Sequence, residues 1–482
     1  MNNQINQGNY FINKNEIDDT ANLDRSVVEE RNEKNSFIIL KIIGNSTINN
    51  IVNLSSRLIL TINLILLGHI PIQNKTHYEL FMTYQIGVTI IDFFGKLIII
   101  GLLKYLFEKK ESEKLYNLYI RLKTSLIFII PIIMIPVSIG SYFIIKLLLN
   151  NNLEIYDQSL NKEIFFKFII FTPIIYFFEI LFYLNLQLLR SSDETKALIS
   201  YLNFFIISHI TTCWILLYIL KIGIVGLTFS YCFNSFLFYL FSNVYINNSK
   251  KDEDEDENFL IIPVKEYFKK EVLTCLKEAG SISLRNISDS FIFYLLFIAS
   301  LFTDRKQLIV NIIYLNFYDL LIGINKGCYI TLRNYLLYNK EATIKKKNYV
   351  IVFFCTFLIF AFFLFIILIV FKNILLNIYL YDGGYQDLQN ISNSIKIIYA
   401  FCVLFNIIQI LLFGFIRGMA VPSYIYRKLI NSLLCLSLCL LLCFYLNYGI
   451  IGLWISILIM CFLYICQNTY MAIFHFNHFF LK

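Results

Sequence analysis

The sequence predicts an all-α integral membrane protein with twelve transmembrane helices in two pseudo-symmetric six-helix bundles, arranged as parallel repeats. Three observations lead there. Of the 482 residues, 58% are hydrophobic and only 15% charged, and the mean hydropathy is +0.65, too apolar for an ordinary soluble domain. Apolar stretches of roughly 20 residues, the length that crosses a hydrocarbon core of about 30 Å, recur about twelve times. Finally, one arrangement occurs twice. Leu186-Gln187-Leu188-Leu189-Arg190 is followed by Lys221-Ile222-Gly223-Ile224-Val225-Gly226, and Phe413-Gly414-Phe415-Ile416-Arg417 by Asn447-Tyr448-Gly449-Ile450-Ile451-Gly452. Arg190 precedes Gly226 by 36 residues and Arg417 precedes Gly452 by 35. A duplicated helical membrane unit is the pattern of a carrier with its path between the halves.

Taken in order, residues 1–36 are Asn-rich and charged and lack a short apolar run with a cleavage site, so they predict a disordered cytosolic tail without a removable signal peptide. An N-terminal lobe is expected over 37–247, with spans at 47–69, 78–103, 115–149, 161–189, 195–220 and 223–246. An acidic linker follows at 248–262, where Asp252-Glu253-Asp254-Glu255-Asp256-Glu257 must be solvated. The C-terminal lobe, 263–482, has spans at 272–302, 307–337, 347–376, 391–416, 423–446 and 450–475.

Positive charge orients these spans. Lys104, Lys109, Lys110, Arg121, Arg190, Lys196, Lys265, Lys269, Arg333, Lys345, Arg417 and Arg427 fall in loops or helix ends on one side, against Lys75, Lys162, Lys221, Arg305 and Lys372 opposite. That bias places both termini in the cytosol. With an even number of spans per half, the two copies enter the membrane in the same sense. The net charge of +8 is thereby explained by topology, and no nucleic-acid partner is expected. Most of the 11 cysteines lie in apolar runs without Cys-x-x-Cys spacing, which reads as packing and gives no metal site. Asn74-Lys75-Thr76 is a formal glycosylation acceptor in a short loop on the side opposite the cytosol.

The repeat motifs also carry a family resemblance. Leu186-Gln187-Leu188-Leu189-Arg190-Ser191-Ser192-Asp193-Glu194-Thr195-Lys196 resembles the "LQ-x-x-x-R-x-x-G-D-T-K" segment of the multidrug and toxic compound extrusion (MATE) transporters. Gly414-Phe415-Ile416-Arg417-Gly418 is similar to their "G-x-x-R-G", and Gly449-Ile450-Ile451-Gly452-Leu453-Trp454 to "G-x-x-G-L-W". Leu67-Gly68-His69 resembles the end of the first helix, and Gly323-Ile324 through Arg333-Asn334-Tyr335-Leu336 the eighth. The likeness runs over residues 40–475. It implies two six-helix bundles about a V-shaped cavity, exporting organic cations in exchange for H⁺ or Na⁺. The chain departs from the family in lacking the first-helix prolines, with Gly44 and Gly280-Ser281 in those neighbourhoods, and in having Lys326, Cys328 and Tyr329 where small residues are expected.

Charges inside the spans are the candidate functional groups, because each costs about 2.5–3.5 kcal/mol at a helix centre on insertion scales. They are Arg57, Asp92, Lys96, Glu179, His209, Arg285, Asp289, Asp319 and Lys326. The resemblance implies that Asp289 stands at the essential glutamate of the eukaryotic branch, with Tyr294 at a second glutamate. Arg285 lies one turn before Asp289 and can pair with it. The aspartate then either exchanges a proton for a cation or serves as a neutralised structural pair, and a permanent arginine partner opposes proton carriage. Asp92 and Lys96 read as a structural pair at i,i+4. Glu179, with no charged neighbour on its own helix face, is a second proton-carrier candidate or a hydrogen-bonded core residue. Asp319 either faces the cavity or pairs with Lys326.

By the same resemblance, counting back from Gly68 puts Asn63 at the helix-one aspartate of prokaryotic members. Counting back from Gly226 puts His209 and Cys213 at their helix-five cation ligands. Amide and thiol are poor ligands for a hard cation, so no Na⁺ site is expected. His209, with a usual pKa of about 6.5, is a core histidine or a proton carrier. The expectation is therefore a proton-coupled secondary antiporter without cofactor or metal. It would work as a monomer in the bilayer of a eukaryotic plasma or organelle membrane and export organic cations or small metabolites. Neither a catalytic triad nor a phosphate loop is present to suggest an enzyme. A lipid or lipid-linked oligosaccharide flippase of the same superfamily and a non-transporting scaffold are the alternatives, the first kept open by Arg57, Lys96, Arg285 and Lys326.

Overall fold

The computed structural model describes residues 57–69, 115–152, 170–191, 195–250, 277, 296–297, 299–300, 302–338, 343–371, 373–381, 386–419 and 425–480. Among these the elements are α1 (Arg57–Gly68), α2 (Leu115–Asn152), α3 (Thr172–Ser191), α4 (Thr195–Trp214), α5 (Ile224–Lys250), α6 (Arg305–Tyr338), α7 (Thr343–Val370), the short α8 (Ile374–Tyr379), α9 (Gln386–Gly418), α10 (Ile425–Leu440) and α11 (Gly449–Phe480). No strand occurs among the described residues, as hydrocarbon demands of backbone that must bond within its own segment. Eight of these helices are long and apolar enough to cross a membrane, with α1 and Ile430–Tyr445 as shorter apolar pieces.

Packing follows the lobes. In the first, α3 lies against α2 and α5, and α4 against α5. In the second, α9 is the central helix, flanked by α6, α7 and α11. Its core is aromatic. Tyr314, Tyr399 and Trp454, all buried, meet edge to face with ring centres 4.6 Å (Tyr314–Tyr399) and 4.9 Å (Tyr399–Trp454) apart, the geometry that ring quadrupoles favour. At the rim α7 turns Ile359, Phe362 and Phe363 outward, as suits a lipid-facing helix.

The duplication is visible in backbone detail. α4 ends in a π turn, Ile215–Ile219, and α10 in another, Leu441–Tyr445, 226 positions later. Leu220 N–H donates to Ile215 O at 3.0 Å and Leu446 N–H to Leu441 O at 2.9 Å, while Ile222 and Tyr448 donate to Leu216 O and Leu442 O, both at 3.0 Å. Each turn then passes through left-handed residues, Lys221 (φ 53°) and Gly223 (φ 71°) in one copy, Asn447 (φ 55°) and Gly449 (φ 52°) in the other.

Several boundaries differ from the sequence reading, among them the start of α9 at Gln386 and the end of α11 at Phe480. α5 continues to Lys250, into the start of the stretch assigned to the linker, because Asn247 to Lys250 extend a helix already formed. The single span expected over 347–376 is α7 to Val370 and then α8, separated by the left-handed Asn373 (φ 54°).

The glycine after each π turn is held by close contact. A Cβ on Gly452 would stand 2.7 Å from the Leu442 carbonyl carbon and 2.9 Å from Cys443 N, whereas one on Gly140 meets nothing within 4 Å. Gly452→Ala is therefore expected to lower stability by about 1–3 kcal/mol, read as thermal unfolding in detergent, with Gly140→Ala as the unaffected control.

Candidate functional site

The site is built from the N-terminal lobe where α1, α3, α4 and α5 meet. Three residues that sequence counting singled out come together there. His209 on α4 and Asn63 on α1 are both buried, and the imidazole Nε2 lies 2.8 Å from Asn63 Oδ1. The tautomer with Nε2–H donates to that amide and leaves Nδ1 to accept from the Ser230 hydroxyl, 3.2 Å away on α5. Cys213, one turn beyond His209, sits 3.5 Å from Nε2 and 3.2 Å from Ser230 Oγ. Further hydroxyls and amides continue the network. Thr212 Oγ1 is 2.5 Å from Ser230 Oγ, Asn234 Nδ2 donates to Thr212 Oγ1 at 2.8 Å, and Ser208 donates to Asn234 Oδ1 at 2.5 Å.

Glu179 adjoins this cluster. It is buried on α3, and the Tyr231 hydroxyl on α5 donates to its Oε1 at 2.6 Å. The Tyr231 ring also lies 5.4 Å from the His209 ring, and Phe205 stacks on the imidazole with a 12° interplanar angle. Tyr231 thus stands between carboxylate and imidazole, so the two groups that the sequence offered separately belong to one site. Nothing in the sequence pointed to Tyr231, one of 33 tyrosines.

Toward the far end of α3 lies a second polar group. Tyr119 OH donates to Asn185 Oδ1 at 2.5 Å, Asn185 donates to Ser242 Oγ and Asn243 Oδ1, and Lys123 Nζ donates to Asn243 Oδ1 at 2.5 Å. The ammonium rests over the rings of Tyr119 and Tyr239 at 5.4 and 5.6 Å. This bonding fastens α2, α3 and α5 together.

Asp319, on α6 of the other lobe, is joined to the first. The ion pair the structure shows for it is with Arg57 on α1, Nη1 to Oδ1 at 2.7 Å, and the same guanidinium nitrogen donates to the Asp319 main-chain oxygen. Asp92, Asp289, Arg285 and Tyr294 lie outside the described residues. Among the described residues no group of three or more His, Cys, Asp or Glu side chains is placed to hold a metal ion.

The second lobe does not repeat the first-lobe cluster. At the 226-residue offset, His209, Cys213, Ser230 and Tyr231 correspond to Cys435, Cys439, Ser456 and Ile457. Cys435 there donates to a main-chain oxygen, that of Ser456, at 3.4 Å. The imidazole, phenol and carboxylate arrangement belongs to one half.

No protein-family model matches the chain, and no curated protein matches it in sequence. Solved structures do. A eukaryotic MATE transporter, AtDTX14, superposes with a TM-score of 0.64 at 15% identity, over 90% of this chain and 95% of that one. The chain has the fold of the MATE transporters. An outward-facing multidrug resistance MATE-family transporter of the MOP superfamily gives 0.65 at 11% identity, over 92% and 96% of the two chains. A MOP-superfamily transporter from Pyrococcus furiosus with a binding pocket of reverse polarity gives 0.64 at 12%, over 90% and 96%. The MATE fold is a twelve-helix membrane architecture, in agreement with the fold class read from the sequence, and makes this a multi-pass membrane protein.

Removing the Asn63 amide would leave the His209 Nε2–H without its acceptor in a dry interior. Asn63→Leu is expected to cost about 0.6–2 kcal/mol, the range of buried hydrogen bonds between membrane helices, measured as a fall in the unfolding midpoint in detergent. Asn63→Gln is expected to retain part of it.

Proposed function

We propose that this protein is a secondary transporter that exports organic cations or small metabolites by alternating access, exchanging them for protons. The observation that carries the proposal is the buried Glu179, whose carboxylate takes the Tyr231 hydroxyl beside His209. These two titratable groups, packed against the same phenol ring and buried between four helices, are the ones proposed to charge and discharge as the surrounding helices move. Amide and thiol replace hard anionic ligands at Asn63 and Cys213, so proton coupling fits this lobe better than Na⁺.

The second coupling group in this reading is Asp289. By the family resemblance it stands at the essential glutamate of the eukaryotic branch. Arg285 and Tyr294 are its proposed neighbours. Asp92 and Lys96 are proposed as a structural pair. The carrier is taken to act as a monomer with both termini in the cytosol, consistent with the loop charge bias.

The test is efflux of a cationic dye from proteoliposomes under an imposed pH gradient, with a Na⁺ gradient as control. Glu179→Gln and Asp289→Asn are each expected to lower pH-driven efflux by at least about tenfold while leaving membrane abundance and the unfolding midpoint near those of the parent. Undiminished efflux in both variants removes the proton-coupling proposal, and efflux driven by Na⁺ alone replaces it.

A further inference from the structure

Lys123 is a cation whose contacts carry no negative charge. It stands on α2, one residue into the apolar stretch Leu122–Phe143, and is half-buried. Its ammonium donates to Asn243 Oδ1 at 2.5 Å and lies over the rings of Tyr119 and Tyr239. It forms no ion pair with a described residue. One amide oxygen and two ring faces attract a cation but do not neutralise it.

The group is also short of acceptors. A lysine ammonium has three hydrogens to give, and the Asn243 oxygen that takes one already accepts from Asn185 Nδ2 at 3.0 Å. Asn185 also donates to Ser242 Oγ at 2.8 Å, Ser242 donates to the Tyr239 main-chain oxygen at 3.0 Å, and Tyr119 donates to Asn185 Oδ1. Because two donors converge on the Asn243 oxygen, its amide nitrogen is turned the other way, beside the Tyr239 hydroxyl. Hydrogens of Lys123, Asn243 and Tyr239 are left to donate. Tyr119, Asn185, Ser242 and Asn243 are buried, whereas Lys123 and Tyr239 are half-buried, so the group opens on the side of these last two.

The depth is that of a lipid headgroup. Lys123, Asn185 and Asn243 lie one, four and five residues from the ends of the apolar stretches Leu122–Phe143, Thr172–Leu189 and Val225–Asn248. That is within about 8 Å at 1.5 Å per residue. The loop charges assign this end to the cytosol, where the leaflet carries anionic lipid.

We infer that Lys123, Asn243 and Tyr239 form a binding site for a phosphate-type oxyanion. Its source is either the phosphate of an anionic lipid in the adjoining leaflet or a soluble phosphate, and the depth favours the lipid. The anion gives the ammonium its counter-charge and takes the remaining hydrogens, so it tightens the crossing of α2, α3 and α5. Glu179 and Tyr231 stand on two of these helices, Glu179 six residues before Asn185, and an occupied site steadies the pair that carries them.

The test is the unfolding midpoint of the purified full-length protein in neutral detergent. Phosphatidylglycerol or phosphatidylcholine is titrated into the micelles, and inorganic phosphate is compared with chloride at equal ionic strength. Phosphatidylglycerol is expected to raise the parent's midpoint to a plateau, as a ligand of the folded state does, and phosphatidylcholine is not. Lys123→Gln is expected to need at least about fivefold more phosphatidylglycerol for the same rise, and Lys123→Arg to respond like the parent. Asn243→Asp sets a carboxylate against the ammonium and is expected to fold and to lose the response. A rise with phosphatidylglycerol alone assigns the site to lipid, and a rise with inorganic phosphate as well assigns it to a soluble anion. No response of the parent to either, or an undiminished response in folded Lys123→Gln or Asn243→Asp, overturns the inference.

Discussion

The hydrocarbon layer offers no water to a polar atom, so an amide, hydroxyl or charge in these helices is costly unless protein meets it. That constraint explains why the interior is stitched by Asn, Ser, Thr and Tyr at helix crossings. Asn185 takes Tyr119 and gives to Ser242 and Asn243. Asn316 accepts from two elements at once, and Asn431 exchanges bonds with Gln467. Apolar burial does little to join helices already in lipid, where side-chain fit and interhelical hydrogen bonds take over. The charged groups are the extreme case of the same rule. Glu179 is buried against a phenol, and Arg57 and Asp319 keep each other.

The halves share a backbone plan but not a chemistry. Around α4 and α5 the first lobe is polar, with an imidazole, a thiol and four hydroxyl or amide groups in contact. Around α6, α9 and α11 the second is an aromatic block of Tyr314, Tyr318, Tyr399 and Trp454. Rings interlocked edge to face resist rearrangement, whereas short polar side chains can exchange partners at little steric cost. In the proposed cycle, the first lobe carries the Glu179 and His209 protons, while the second lobe, which carries Asp289, adds a stiff aromatic block.

How much of this was legible in the chain depends on range. Asn63 was reached by counting from Gly68 along one helix, where the register survives from the turn to the site, and His209 and Cys213 by counting from Gly226 back across the π turn. The same logic found the duplication from Arg190, Gly226, Arg417 and Gly452. Contacts between helices have no period to betray them. Tyr231 donating to Glu179 and Arg57 reaching Asp319 depend on how two separate cylinders are rotated about their axes, which hydropathy does not encode. The π turns were hidden for a different reason. In Ile215–Ile219 and Leu441–Tyr445 every residue is apolar, so a change from 3.6 to a wider winding leaves no mark on the pattern. The break at Asn373, beside Lys372, was read through because apolar residues resume at once from Ile374.

The matched π turns bear on descent. A single π turn amounts to one extra residue accommodated in an α-helix, and it survives only where neighbours tolerate the bulge. Here the bulge, the left-handed exit and the tight glycine recur at the same register. One insertion inherited by both copies accounts for that more simply than two separate events. The forerunner was then a six-span chain already carrying the bulge. Because the copies lie parallel, it would have assembled as a symmetric pair before fusion freed each half to diverge.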